Sequence, residues 1–156
     1  MVGVTELRFD DIDGINAAGG GDYGDWGREV EITQDMINQF ADLTGDHQWI
    51  HVDVERANAG PFGGPIAHGF LTLSLLPSMA GTGGVKLTGY ANAVNYGADG
   101  LRFLAPVPAG SKVHARSRLL GAEAKGSGTL IKSETAVHVV GSEKPSLIYK
   151  MLVLYM

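Results

Sequence analysis

Cysteine is absent from the 156 residues of the chain. That excludes a disulfide framework, a thiolate nucleophile and a cysteine-ligated metal, and it agrees with a reducing, cytoplasmic setting. Basic runs are also missing: 12 Lys+Arg stand against 17 Asp+Glu, for a formal net charge of -5. A polyanion spread over a broad surface would be repelled, so nucleic acid is not expected as a partner. Long apolar runs are lacking too. The longest, from Pro65 to Ala80, is interrupted by His68 and Pro77 and falls short of the ~20 residues a membrane span needs. The start of the chain shows no basic segment followed by an apolar core, so neither a leader nor a membrane anchor is expected. The 23 glycines follow no period, which argues against a repeat architecture.

What is present fits one ordinary domain over residues 1–156, and a chain of this length buries roughly two thirds of the surface it exposes when unfolded. Residues 1–25 are weakly patterned, with Ala17-Ala18-Gly19-Gly20-Gly21 as a hinge, and are expected to wrap the surface. Gly19 to Gly24 spells G-x-G-x-x-G, but no strand leads into it and no βαβ unit follows, so chance explains it. Trp26 to Ile32 alternates like a strand. Thr33 then caps a helix carrying Met36, Ile37, Phe40 and Leu43 on one side and ending at Gly45. Gly45 to His51 has neither period and reads as an irregular loop, followed by a short polar helix through Glu55 and Asn58.

From Ile66 to Ala80 apolar residues occupy nearly every face, which predicts a helix buried all round and about 22 Å long at ~1.5 Å per residue. The second half is strands. Val113, Ala115, Ser117 and Leu119 alternate with His114, Arg116 and Arg118, and Ile131 to Val139 alternates likewise, so each strand has one greasy and one wet face. Ala91 to Phe103, bent at Gly97 and Gly100, and Leu147 to Tyr155 supply two more, joined by short turns at Gly126-Ser127-Gly128 and Gly141-Ser142-Glu143. The sum is an α+β chain in which an antiparallel sheet wraps one long buried helix, the hot-dog fold. Such a sheet leaves an open edge, and a second copy is the simplest cover, so a homodimer is expected.

Asp46 and His51 carry the chemistry. Five residues apart in an irregular loop, they can point into one pocket, whereas a strict strand would set them on opposite faces. A carboxylate and an imidazole sharing one water can take a proton from it as it adds to the β-carbon of an enoyl thioester, and can return one to the α-carbon. The backbone N–H of Gly69, at the start of the apolar helix, is placed to stabilise the enolate. Read more plainly, Asp46 is a turn former and His51 a surface residue. His47 and His51 form H-x3-H, but no third ligand is evident and no metal or cofactor is expected. His68 lines the pocket or is a hydrogen-bonded structural residue. His114 and His138 fall on wet strand faces, and Ser74 and Ser78 lack a G-x-S-x-G context. Phe70, Leu71 and Leu75 could close an acyl tunnel. Lys86, Arg102, Lys112 and Arg116 could meet phosphates or simply be solvated.

G-D-H-Q-W-I-H from Gly45 to His51 with P-I-A-H-G-F-L-T-L-S from Pro65 to Ser74 resembles the MaoC-like (R)-specific enoyl-CoA hydratase family. N-Y-G at Asn95 to Gly97 and R-F-L-A-P-V-P-A-G at Arg102 to Gly110 extend the resemblance to residues 26–155. It implies hot-dog dimers, acyl thioesters carried by CoA or acyl carrier protein, and a hydro-lyase that interconverts enoyl and (3R)-hydroxyacyl thioesters. Asp46 and His51 match the water-activating pair, Gly69 the enolate donor, and Gln48, Ile66, Ala67 and His68 the substrate-binding surround. Gln48 and Trp49 stand where better-known hydratases have Asn and Pro, a form shared with proteins resembling nodulation protein N. Pro77 falls where some carry a pocket serine. A hot-dog thioesterase and a non-catalytic acyl-thioester-binding protein are the alternatives.

Overall fold

The computed structural model describes residues 4–81 and 84–156, so residues 1–3 of the weakly patterned N-terminal segment lie outside the described residues. In chain order the elements are β1 (Thr5–Arg8), α1 (Ile12–Ala18), β2 (Val30–Glu31), α2 (Gln34–Thr44), α3 (Trp49–Val52), α4 (Val54–Asn58), α5 (Gly69–Ser74), a 3₁₀ turn (Leu76–Met79), β3 (Val85–Thr88), β4 (Ala93–Phe103), β5 (Lys112–Lys125), β6 (Gly128–Val139) and β7 (Leu147–Tyr155). Five strands form one antiparallel sheet in the order β2-β5-β6-β7-β4, and β1 pairs with β3 in parallel beside it. This is the α+β hot-dog arrangement expected from the sequence. Its core joins Ile32 and Ile37 to Leu71 and Met79, and these to Val113, Ala115, Val137 and Leu147 of the sheet.

Local chemistry accounts for the boundaries. The Thr33 hydroxyl accepts from the Met36 N–H at 3.2 Å to start α2, and Gly45, at φ 81°, ends it in the left-handed conformation that glycine adopts without strain. Leu43 of that helix is exposed rather than buried. β4 shifts register between Asn95 and Gly97 and again between Ala98 and Gly100, the expected bends. Gly126-Ser127 is the tight turn between β5 and β6.

Three expectations need correction. The central helix is not long: α5 runs only from Gly69 to Ser74, and the chain then tightens into the 3₁₀ turn. Pro77 is the reason, since it has no N–H to continue the α-helical ladder and its ring clashes with the preceding turn. Nor is the segment buried all round, because Phe70 is 62% exposed. The N-terminal segment is not featureless. Asp11 caps α1 by accepting from the Gly14 N–H at 3.0 Å, and the Asn16 amide mimics a strand, donating to the Ala122 carbonyl at 3.0 Å and accepting its N–H at 2.8 Å. β1 is four residues long and pairs with β3 some 80 positions away (Thr5↔Val85), so neither strand has length enough to show a period.

The third correction concerns the wet strand faces. Residues 19–29 lie along the free edge of β5, where the Gly20, Gly24 and Gly27 N–H groups donate to the Leu119, Ser117 and Ala115 carbonyls at 2.9, 2.9 and 2.8 Å. Only Val30–Glu31 of the expected Trp26–Ile32 strand meets strand geometry. This strap folds Tyr23 and Trp26 over the sheet. The Trp26 ring stacks on His114 at 3.8 Å and meets His138 edge-on at 5.0 Å, and the Arg116 guanidinium lies 4.4 Å from its centre. His138 and Glu134 are consequently buried, not solvated.

Candidate active site

Two backbone segments bring the sequence-predicted residues together. α2 ends at Gly45 and releases the loop that carries Asp46. The single turn α3 then swings His51 inward, so this residue sits on a helical turn and not in the irregular loop expected. Residues 65–67 are fixed from both sides. The Ile66 N–H donates to the Ile50 carbonyl at 3.0 Å, the Ala67 N–H to the Val107 carbonyl at 2.8 Å, and the Ala109 N–H to the Pro65 carbonyl at 2.9 Å. The turn that holds His51 and the approach to α5 are thereby locked to each other. Gln34 of α2 adds a clamp, its amide donating to the His51 carbonyl at 2.8 Å.

His51 is buried and its Nδ1 lies 2.7 Å from the Ile66 carbonyl oxygen. A carbonyl can only accept, so Nδ1 carries the proton and Nε2 presents a bare lone pair. Burial is the main influence on this ring and pulls its pKa below the ordinary imidazole value, which keeps it neutral at neutral pH. His68, 3% exposed, stacks on it with ring centroids 3.9 Å apart and planes 26° apart. His68 Nε2 lies 2.9 Å from the Asp46 carbonyl oxygen, so here Nε2 carries the proton. Its Nδ1 is buried and has no hydrogen-bond partner among the described residues. Phe40 closes the far side of that ring at 5.0 Å.

Asp46 is exposed, with one carboxylate oxygen accepting the Gln48 N–H at 3.3 Å. One ligand atom from each of Asp46, His51 and His68 lies within 4.8 Å of the others. His47 does not join them; it turns to solvent and pairs with Asp42 at 2.9 Å.

A cavity of about 450 Å³ opens against this cluster, its wall including His51, Ile66, Ala67, Gly69, Thr72 and Phe103. A Cβ at Gly69 would stand 2.7 Å from the Phe103 ring, so a side chain there would push that ring aside. Asp46 and His68 flank the cavity through His51 without lining it, and Gln48 stands at the N-cap of α3 with its residue exposed. Of the residues considered for an acyl tunnel, Phe70 lines the cavity, whereas Leu71 is buried in the core and Leu75 packs against it. Of the basic residues considered for phosphate, Lys86 pairs with Glu6 at 2.7 Å and Lys112 with Glu29 at 3.9 Å, while Arg102 is next to the cavity residue Phe103. Thr72 escaped the sequence reading. It is buried in the first turns of α5, and its hydroxyl is unpartnered among the described residues. A threonine inside an apolar run gives no signal of this kind.

The arrangement offers a neutral imidazole with one free nitrogen and the first-turn amides of α5 at the wall of a mostly apolar cavity, with the Asp46 carboxylate near that imidazole. Such a set can move a proton on and off a water or a carbon atom beside a bound carbonyl. Residues 24–142 match the family model described as MaoC like domain. The 3-hydroxyacyl-thioester dehydratase Z of Mycobacterium tuberculosis is 51% identical over 154 residues, which cover 94% of this chain and 97% of that protein. Nodulation protein N of Rhizobium meliloti is 46% identical over 120 residues, 76% of this chain and 74% of that one. The solved structure of an (R)-hydratase from A. caviae involved in PHA biosynthesis superposes with a TM-score of 0.65 at 21% identity, covering 86% of this chain and 96% of that one.

Proposed function

The chain belongs to the MaoC-like dehydratase family and is a hydro-lyase, and from that premise we propose that it interconverts enoyl thioesters and (3R)-hydroxyacyl thioesters through Asp46 and His51. In the hydration direction, His51 Nε2 accepts a proton from a water that Asp46 holds through its second hydrogen bond. The oxygen of that water adds to the β-carbon as the double-bond electrons move onto the thioester oxygen. The Gly69 N–H donates to that oxygen, and the protonated His51 returns its proton to the α-carbon. The dehydration is the same path reversed. Ile66, Ala67 and the Gly69 turn form the wall along which the thioester would lie. His68 and Gln48 act behind it, on the position of the Asp46 loop.

The observation that carries this reading is the Nδ1–H of His51 bound to the Ile66 carbonyl at 2.7 Å. It fixes the tautomer and leaves a basic nitrogen beside a cavity that also takes in Gly69. The test is loss of the conjugated double bond of short enoyl-CoA and enoyl acyl-carrier-protein substrates. Asp46→Asn and His51→Ala should each lower kcat by about 10²–10⁴-fold with the fold unchanged by circular dichroism. Full turnover in either variant rules out its role. Release of free thiol from a saturated acyl-CoA would favour the thioesterase alternative, and tight binding with no turnover of any chain length would favour a non-catalytic one. A homodimer is part of the proposal, because among the described residues β4 has a strand partner on one side only.

A further inference from the structure

We propose that the Thr72 hydroxyl is the hydrogen-bond partner of His68 Nδ1, and that through this bond Thr72 acts as a positioning residue for Asp46 and His51. The positioning role rests on the proposed function; the pairing itself does not. His68 backs both groups that handle the proton. Its ring stacks on His51 with centroids 3.9 Å apart, and its Nε2–H donates to the Asp46 carbonyl at 2.9 Å, while Phe40 closes the far side at 5.0 Å. Nδ1 is the corner of the ring that nothing holds, buried and without a partner among the described residues. Because Nε2 carries the ring proton, Nδ1 can only accept.

Thr72 has the complementary defect. Its hydroxyl is buried, on a residue 2% exposed, and is equally unpartnered among the described residues. Hydroxyls inside helices commonly donate to the carbonyl four residues back, as Thr44 does to Phe40 at 2.8 Å and Ser74 to Phe70 at 2.7 Å. Thr72 lacks that outlet. The His68 carbonyl already accepts the Leu71 and Thr72 N–H groups at 3.1 and 3.2 Å, which occupies both of its lone pairs. Those bonds also close the turn between His68 and Thr72, and side chains four apart on a helix have Cβ atoms about 5–6 Å from each other. Oγ1 is bonded to its Cβ, and Nδ1 is one atom removed from its own. Rotation about Thr72 χ1, which has two favoured states in a helix, or one shared water therefore brings donor to acceptor. A donor without an acceptor and an acceptor without a donor, left unpaired in one buried turn, each carry a desolvation penalty that pairing removes. The bond fixes His68 as its Nε2–H tautomer, steadies the ring against His51 and keeps the Asp46 loop in place.

Thr72→Val in the full-length protein keeps the branched shape and removes the hydroxyl. With the pairing in place it strands His68 Nδ1, and the melting temperature should fall by roughly 2–4 °C or more. A hydroxyl with no partner would leave stability equal or higher when lost, and that result overturns the pairing. In heteronuclear NMR the His68 Nδ1 resonance should move in Thr72→Val and return in Thr72→Ser. With a short enoyl-CoA, Thr72→Val should lower kcat by about tenfold or more, toward the ~10²-fold that a 1 Å misplacement costs, with KM little changed and most of the loss recovered in Thr72→Ser. His68→Phe retains a stacked ring without its nitrogens, and in that background Thr72→Val should cost no further activity. Additive losses would mean that Thr72 acts on the substrate directly, and an undiminished kcat that the bond is structural only; either overturns the positioning role. Should His68→Phe fail to fold, the melting, NMR and Thr72→Ser comparisons decide. A wild type without hydro-lyase turnover counts against the catalytic reading, and the melting and NMR comparisons then still decide the pairing.

Discussion

Glu134 is a charged residue on a strand face that the strap covers. Its side chain is 8% exposed and accepts from the Tyr23 hydroxyl at 2.7 Å and from Arg118 Nε at 3.0 Å. The Tyr23 bond, then Arg118, hold its pKa below the ordinary carboxylate value despite burial. A depressed carboxylate contributes stability that is present above its unfolded pKa and lost as pH falls from about 4.3 through the folded value. Tyr23 has the opposite sign. Burial first, and then Glu134, push it up to about 12, so its contribution is whole below about pH 10 and lost on passing from there to the folded value. Replacing Glu134 by Gln should flatten the acid limb of the stability profile and let Tyr23 titrate earlier. Urea midpoints across pH 3–7 and the tyrosinate absorbance check both. At this scale the sequence was legible where a residue's placement follows from local spacing: donor atoms of Asp46 and His51 come within 4.8 Å of each other, and Gly69 shares a cavity wall with His51. It was silent on His68 Nδ1 and on Glu134, whose surroundings come from segments 22 and 111 residues away in the chain.

The same silence recurs among the elements. Alternation in β6 correctly marks a strand, but alternation only says that one face is less apolar; it does not say that water lies there. The strap of residues 19–29 supplies the missing cover, and its glycines, which look like mere flexibility, let backbone approach backbone: a Cβ on Gly27 would collide with the Met79 carbonyl. The all-round apolar run after Pro65 failed differently. Its hydrophobicity was read as continuity, although Pro77 already marked where the α-helical ladder must stop. Trp26 tests the strap as an element. Its stacking on His114 and its contact with the Arg116 guanidinium together are worth about 1–2 kcal/mol beyond buried area, and Trp26→Ala should lose at least that in denaturant unfolding. His114, held below the ordinary imidazole value chiefly by burial, should then titrate higher in NMR. A Trp26→Ala protein with unchanged stability and an unmoved His114 would mean that the strap is ornamental.

At the scale of the molecule, β4 decides how many chains the site needs. Among the described residues it is bonded to β7 on one side only, and its other edge pairs with no strand. Val94, Tyr96, Phe103 and Leu104, on or just past this strand, are 43%, 49%, 47% and 40% exposed. Two of them, Phe103 and Leu104, also form part of the cavity wall. An edge that is both sticky and continuous with the site wall is best satisfied by the β4 of a second copy running antiparallel, because a two-fold axis returns the same residues to both sides. Sedimentation at micromolar concentration should give about twice the chain mass. Val94→Asp with Tyr96→Asp sets like charges across that axis, an arrangement costing several kcal/mol and weakening association by roughly a hundredfold or more. If the cavity is completed by the partner, turnover should follow the dimer fraction on dilution, with KM rising as the wall opens. A fully active monomer would show instead that one chain builds the whole site and that the β4 edge serves another purpose.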